Sequence, residues 1–102
     1  MSLDLDWLAD ELDRFATQRD WHRLHDPKNL AMALAAEAGE LLEQLQWLNP
    51  EEAKEHASSG FVADEVADVL IYLVRFASVA GLDLEWAVRQ KLVKNAAKHP
   101  AP

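Results

Sequence analysis

Apolar residues in this chain recur at intervals of three and four, and no stretch alternates at an interval of two. A half-buried strand needs the shorter period, so helix is the regular element left to it. The punctuation agrees. Leu5, Leu8, Leu12, Phe15 and Ala16 mark a first helix from about Asp4 to Trp21. Acidic residues crowd its start and Arg19 lies near its end, as the helix macrodipole favours. A loop, HRLH, follows. Asp26-Pro27 joins a capping side chain to a first-turn proline and opens a second helix that runs to Leu48. Asn49-Pro50-Glu51-Glu52 starts a short third helix, which Ser58-Ser59-Gly60 breaks. The fourth helix runs from about Phe61 to Ala80 with Gly81 as its cap, and Asp83 caps a fifth that reaches Lys98. The expected fold is all-α: one domain over residues 1–102, a bundle of four to five helices.

Composition narrows what such a bundle can do. Half of the residues are hydrophobic, a surplus for a chain this short, and this favours completion of the bundle by further copies of the chain. There is no cysteine, which excludes disulfides and thiolate metal sites and fits a cytoplasmic protein. The N-terminal MSLDLDWLADELD is acidic and lacks the apolar segment of a signal peptide. The longest strongly apolar run, VLIYLV at 69–74, is far too short to span a bilayer. A formal net charge of −8 argues against a nucleic-acid partner, which needs a basic face to displace counterions. It leaves room for a small anionic ligand, because a bound cation inverts the local field.

Acidic residues also stand where a buried stripe should be apolar. At about 100° of rotation per residue, Leu30, Leu34, Leu41, Leu45 and Leu48 form the stripe of the second helix. Glu37 falls inside it, and Glu40 lies about 60° to one side. Val62, Val66, Val69, Leu73 and Phe76 form the stripe of the fourth helix, with Glu65 inside it, Asp68 flanking it and Tyr72 one turn beyond Asp68. Each helix thus carries an acidic pair at a spacing of three, pointing one way. If the two helices pack antiparallel, four carboxylates converge. Desolvating even one ionised carboxylate costs several kcal/mol without a counter-charge. An oxygen-only cluster suits a hard divalent ion, and Mg²⁺ is the usual choice where phosphates complete its shell, with Mn²⁺ as a substitute. Two solvated acidic faces are the plain alternative in a chain with eighteen acidic residues. A di-iron bundle would require Glu-x-x-His, a spacing absent here.

Glu37-Ala-Gly-Glu40 followed by Glu65-Val-Ala-Asp68 resembles the ExxE and ExxD signature of the MazG-like all-α nucleoside triphosphate pyrophosphohydrolases. The stretches RDWHRLHDPKNLAMAL, EAGELLEQLQW and DEVADVLIYLV are similar in order and spacing to the dCTP pyrophosphatase branch of that family. KLVKNAAKHP resembles its tail more loosely, and the likeness covers about residues 5–100.

The resemblance implies hydrolysis of a nucleotide between its α- and β-phosphates, giving the monophosphate and pyrophosphate, with dCTP or a related pyrimidine deoxynucleotide as substrate and pool sanitation as the role. It implies that Glu37, Glu40, Glu65 and Asp68 hold Mg²⁺ and carry catalysis, and that copies assemble as a homodimer or homotetramer. Trp21 and Trp47 match aromatics that line the base pocket, where aromatic faces stack on bases. Each is also an ordinary core or interface residue. Tyr72 is placed against the deoxyribose, or is a buried tyrosine with a satisfied hydroxyl. His25 contacts the ligand, or simply precedes the Asp26 cap. Lys91, Lys94, Asn95 and Lys98 share one basic face of the fifth helix. Lys91 and Asn95 match the family's phosphate-contacting tail, and lysines near a helix C-terminus also complement its dipole. Lys98 stands where the family usually has arginine, His99 where it has tyrosine, and Leu12 where animal relatives have a histidine. A broader triphosphate or dUTP specificity, and a non-catalytic helical metal-binding module, are the competing expectations.

Overall fold

The computed structural model describes residues 2–102. Its helices are α1 (Leu5–Gln18), α2 (Pro27–Glu43), α3 (Pro50–His56), α4 (Gly60–Ala80) and α5 (Leu84–Lys98). Among the described residues there is no strand. Each helix begins on a capping side chain: Asp26, Asn49 and Asp83 cap as expected, and Asp4 and Ser59 cap α1 and α4 as well. Asp4 accepts from the Asp6 and Trp7 amides, and Asp26 from the Asn29 amide. Asn49 and Glu52 exchange a reciprocal pair of bonds at the start of α3. Ser59 and Asp83 accept from Val62 and Trp86. Such side chains replace the partners that first-turn amides lack.

Two helices end earlier than the apolar spacing suggests, each for a local reason. α1 stops at Gln18 rather than Trp21 because Asp20 adopts a left-handed φ of 56°. The Trp21 amide then folds back onto the Ala16 carbonyl at 2.9 Å, a closure that satisfies the last carbonyls. The HRLH stretch is partly ordered as a 3₁₀ turn, His22–Leu24. α2 stops at Glu43 rather than Leu48, and residues 44–47 continue as turns. The bonds Leu45 to Leu42 and Leu48 to Leu45 span three residues instead of four. Pro50 lies just beyond, and the residue before a proline avoids helical backbone: Asn49 has ψ 168°.

α4 is the central element. It packs along α2 and, more lightly, against α1. His25, just before α2, meets Arg75 late in α4, while Glu37 further along α2 meets Glu65 and Asp68 early in α4. The two helices therefore run antiparallel. Ala16, Leu30, Val62, Val74 and Ala77 are the buried apolar side chains. That core is thin for the apolar content. Trp7, Met32, Phe61, Trp86, Leu92 and Val93 are all exposed, and α5 packs only lightly on the other helices. No helix is long and apolar enough to cross a membrane, among the described residues.

Gly81 closes α4 with a φ of 71°, and the Leu82 amide reaches back to the Ala77 carbonyl at 2.9 Å. A Cβ there would meet no atom within 4 Å, so alanine costs only the left-handed backbone, about 1–2 kcal/mol. Gly81→Ala should lower the thermal midpoint by several degrees, roughly 4–8 °C for each kcal/mol in a domain of this size. Helical circular dichroism should stay unchanged. An unaltered midpoint would contradict the left-handed closure of α4.

Candidate active site

Glu37 and Glu40 project from α2, and Glu65 and Asp68 from the first half of α4. Both positions follow from helical spacing, since residues three apart share a face. The antiparallel packing turns the two pairs toward each other. One carboxylate oxygen from each of Glu37, Glu65 and Asp68 falls within 4.8 Å of the others. Glu40 is more exposed and stands beside this trio, where its carboxyl acts on both Glu37 and Glu65.

The electrostatics of the cluster are unfavourable as it stands. Burial, then the hydrogen bond and negative charge of Glu40, then the charges of Asp68 and Glu65, push the Glu37 carboxyl up from 4.5 to about 7. Glu65 is raised by burial first, then by Glu40, Asp68 and Asp64. Glu37 Oε2 and Glu65 Oε2 are both buried without any hydrogen-bond partner. Buried polar atoms in folded proteins are nearly always satisfied, so two orphaned oxygens on clustered carboxylates are what a cation-binding cradle requires. With oxygen as the only donor type, these residues fit a hard divalent ion such as Mg²⁺ or Mn²⁺.

The other residues expected at a nucleotide site are distributed unevenly. Tyr72 is half-buried on α4, one turn beyond Asp68. Trp21 lies edge-on to Phe15 at 5.5 Å between ring centres and tilted against His25 at 5.9 Å. Trp47 follows α2 with 86% of its surface exposed, which removes the core as an account of it within this chain. Lys91, Asn95 and Lys98 are exposed along α5, and none makes a side-chain hydrogen bond or ion pair among the described residues. A single copy of the chain thus brings Glu37, Glu65 and Asp68 together, with Glu40 beside them and Tyr72 one turn beyond Asp68, whereas the side chains of Lys91, Asn95 and Lys98 on α5 have no polar partner among the described residues.

Sequence reasoning overlooked a polar network two turns further along α4. Arg75 is 4% exposed, the one buried charged residue among those described. Its guanidinium donates to His25 Nδ1 at 3.0 Å and to Asp13 Oδ1 at 3.1 Å, and lies 3.5 Å from His22 Nδ1. The signal was available, because an arginine directly after VLIYLV is out of place on a buried helix. Gln44 and His56 form a second overlooked contact at 2.9 Å, tying α3 to the end of α2.

Comparison with known proteins places this geometry in context. The model of the MazG-like family matches residues 32–102, a span that includes all four carboxylates. The chain is 41% identical to dCTP pyrophosphatase 1 of Bos taurus over 90 residues, covering 84% of this chain and 53% of that protein. It is 41% identical to dCTP pyrophosphatase 1 of Homo sapiens over 91 residues, covering 85% of this chain and 54% of that protein. The chain therefore spans about half the length of the curated relatives it matches. A crystal structure of a pyrophosphatase from Archaeoglobus fulgidus superposes with a TM-score of 0.90 at 38% identity, covering 99% of this chain and 96% of that one. A family match over most of the sequence, coinciding with the converging carboxylates, identifies the chain as a member of the MazG-like family.

Proposed function

We propose that this chain hydrolyses a nucleoside triphosphate between the α- and β-phosphates, with dCTP or a modified dCTP as substrate and dCMP plus pyrophosphate as products. The observation that carries this is the pair of buried, unpartnered oxygens of Glu37 and Glu65 within a three-carboxylate cluster. Glu37, Glu65 and Asp68, with Glu40 beside them, would hold the divalent ion. Such an ion supplies positive charge opposite the phosphates. The protein's own part is to fix the carboxylates on two packed helices and to exclude water from two of their oxygens. A carboxylate with a raised proton affinity is also suited to take the proton of the attacking water. Similarity to dCTP pyrophosphatase 1 supports cytosine as the base, with Trp21, Trp47, His25 and Tyr72 around base and sugar. Lys91, Asn95 and Lys98 complete the phosphate contacts. The exposed apolar side chains support self-association as a dimer or dimer of dimers. The role proposed for this single-domain chain is nucleotide pool sanitation in the cytoplasm.

A panel of deoxy- and ribonucleoside triphosphates, with separate detection of pyrophosphate and orthophosphate, tests this. dCTP should give pyrophosphate and dCMP, with kcat/KM at least about tenfold above the other bases, the scale set by one or two lost hydrogen bonds. Equal turnover of every base would replace cytosine preference with broad specificity. Release of orthophosphate would move the cleavage site. Stabilisation by Mg²⁺ without any product would leave a non-catalytic metal-binding module. Sedimentation equilibrium should give two or four copies per particle, and a monomer at all concentrations would remove the self-association.

A further inference from the structure

Arg75 is buried on α4 with an unusual set of partners. A buried guanidinium ordinarily faces carboxylates, because desolvating its charge is costly. Here, among the described residues, one carboxylate, Asp13, is in reach, and it is itself 57% exposed. The other contacts are to imidazole nitrogens of His25 and His22. Arginine has no acceptor and cannot deprotonate, so Nδ1 of His25 must be the unprotonated, accepting nitrogen. The neutral ring then carries its proton on Nε2. His25 Nε2 has no hydrogen-bond partner among the described residues. His22 differs: its Nε2 lies 2.7 Å from Thr17 Oγ1, whose hydroxyl donates to the Asp13 carbonyl. The network is closed at His22 and open at His25.

The position on α4 adds a second observation. Asp68 and Arg75 are seven residues apart, so they share a face of the helix about 10 Å apart along its axis. On the other side of the arginine, His25 and Trp21 belong to the short segment between α1 and α2. One side chain therefore links the helix bearing the acidic cluster to the segment bearing an aromatic ring and an unused N–H.

We infer that Arg75 is a positioning residue that fixes His25 as an Nε2–H donor and holds the 21–25 segment against α4, so that this donor meets an acceptor on the base or sugar of the nucleotide. This rests on the proposed nucleotide pyrophosphohydrolase activity. Burial, then the Arg75 charge, then His22, also hold the His25 pKa below its usual value, which keeps the ring neutral.

The test uses the full chain with Mg²⁺ and dCTP, and Arg75→Lys, His25→Asn and the double variant beside wild type. Nitrogen-15 shifts of the His25 ring should report the Nε2–H form in wild type and a mixture of tautomers in Arg75→Lys. Arg75→Lys should raise KM for dCTP about tenfold with kcat within about threefold, the scale of one lost hydrogen bond. The thermal shift produced by Mg²⁺ should be unchanged. His25→Asn keeps an acceptor near Arg75 but loses the Nε2 donor, so it should fold normally and raise KM similarly. The double variant should be no worse than the worse single variant, because both remove one interaction. A tautomer as fixed in Arg75→Lys as in wild type, or an unchanged KM in His25→Asn, overturns the inference. Should Arg75→Lys fail to fold, the His25→Asn result decides alone. Should wild type turn over no triphosphate, the activity fails and the nitrogen signals decide whether Arg75 fixes the ring.

Discussion

Glu37→Gln should lower kcat by at least about a hundredfold, the order lost when one preorganised electrostatic contact to a transition state is removed. Metal-free, it should unfold at no lower temperature than wild type at pH 7. The two halves of this expectation come from the same geometry. Glutamine has nearly the shape of glutamate, so the fit against α4 survives. The change removes a charge that burial first, and then Glu40, Asp68 and Glu65, all oppose, the balance that pushes the Glu37 carboxyl up to about 7. Relief of that repulsion offsets the lost acid. The amide, however, contributes no negative charge toward a cation and cannot serve as a base. Glu43→Gln is the control: it removes the same charge from an exposed position on the same helix and should alter neither quantity. Full activity in Glu37→Gln would take the acidic cluster out of catalysis. A sharp fall in metal-free stability would instead make Glu37 a structural residue.

The cluster was legible in the sequence because helical geometry converts spacing into direction. Glu37 and Glu65 each sit within an apolar stripe, and a stripe must face another helix. The caps Asp26, Asn49 and Asp83 were equally legible, since each is a short polar side chain beside a proline or the start of an apolar run. What spacing could not give is anything that depends on backbone outside the regular helix. The left-handed Asp20 that ends α1 before Trp21 carries no compositional mark, because aspartate is also at home within a helix's first turns. The tightening of residues 44–48 precedes Asn49, whose extended backbone Pro50 imposes, and the apolar spacing runs through it unchanged. The Arg75 network joins positions 13, 22, 25 and 75, which no local pattern connects. The basic face of α5 is the converse case. Its spacing is plain, yet Lys91, Asn95 and Lys98 make no side-chain hydrogen bond or ion pair among the described residues, so spacing alone says nothing of what they touch.

Mg²⁺ should raise the thermal midpoint of the wild type by about 10 °C or more at pH 7.5, and by far less at pH 4.5. A ligand that binds only the folded state at a hundred times its dissociation constant stabilises by about 2.7 kcal/mol. A domain of this size gains roughly 4–8 °C for each kcal/mol. The pH dependence follows from proton linkage. Glu37 has a folded-state pKa raised from 4.5 to about 7, and Glu65 is raised as well. Between those values the folded state binds more protons than the unfolded state, so stability falls as pH rises. Stability from this source is complete below about 4.5 and lost as pH passes through about 7. Acid conditions therefore already satisfy the cluster with protons, and a cation must displace them to bind. His25 acts in the opposite sense, because its lowered pKa gives stability that is lost as pH falls. The difference between wild type and Glu37→Gln isolates the carboxylate from that histidine. Without metal, this difference should swing against the wild type between pH 4.5 and 7. Measurements need matched ionic strength, since salt alone screens repulsion in a chain of net charge −8. Equal stabilisation by Mg²⁺ and by a monovalent salt of the same ionic strength would reduce the effect to screening. Equal Mg²⁺ shifts in wild type and Glu37→Gln would place the ion somewhere other than between α2 and α4.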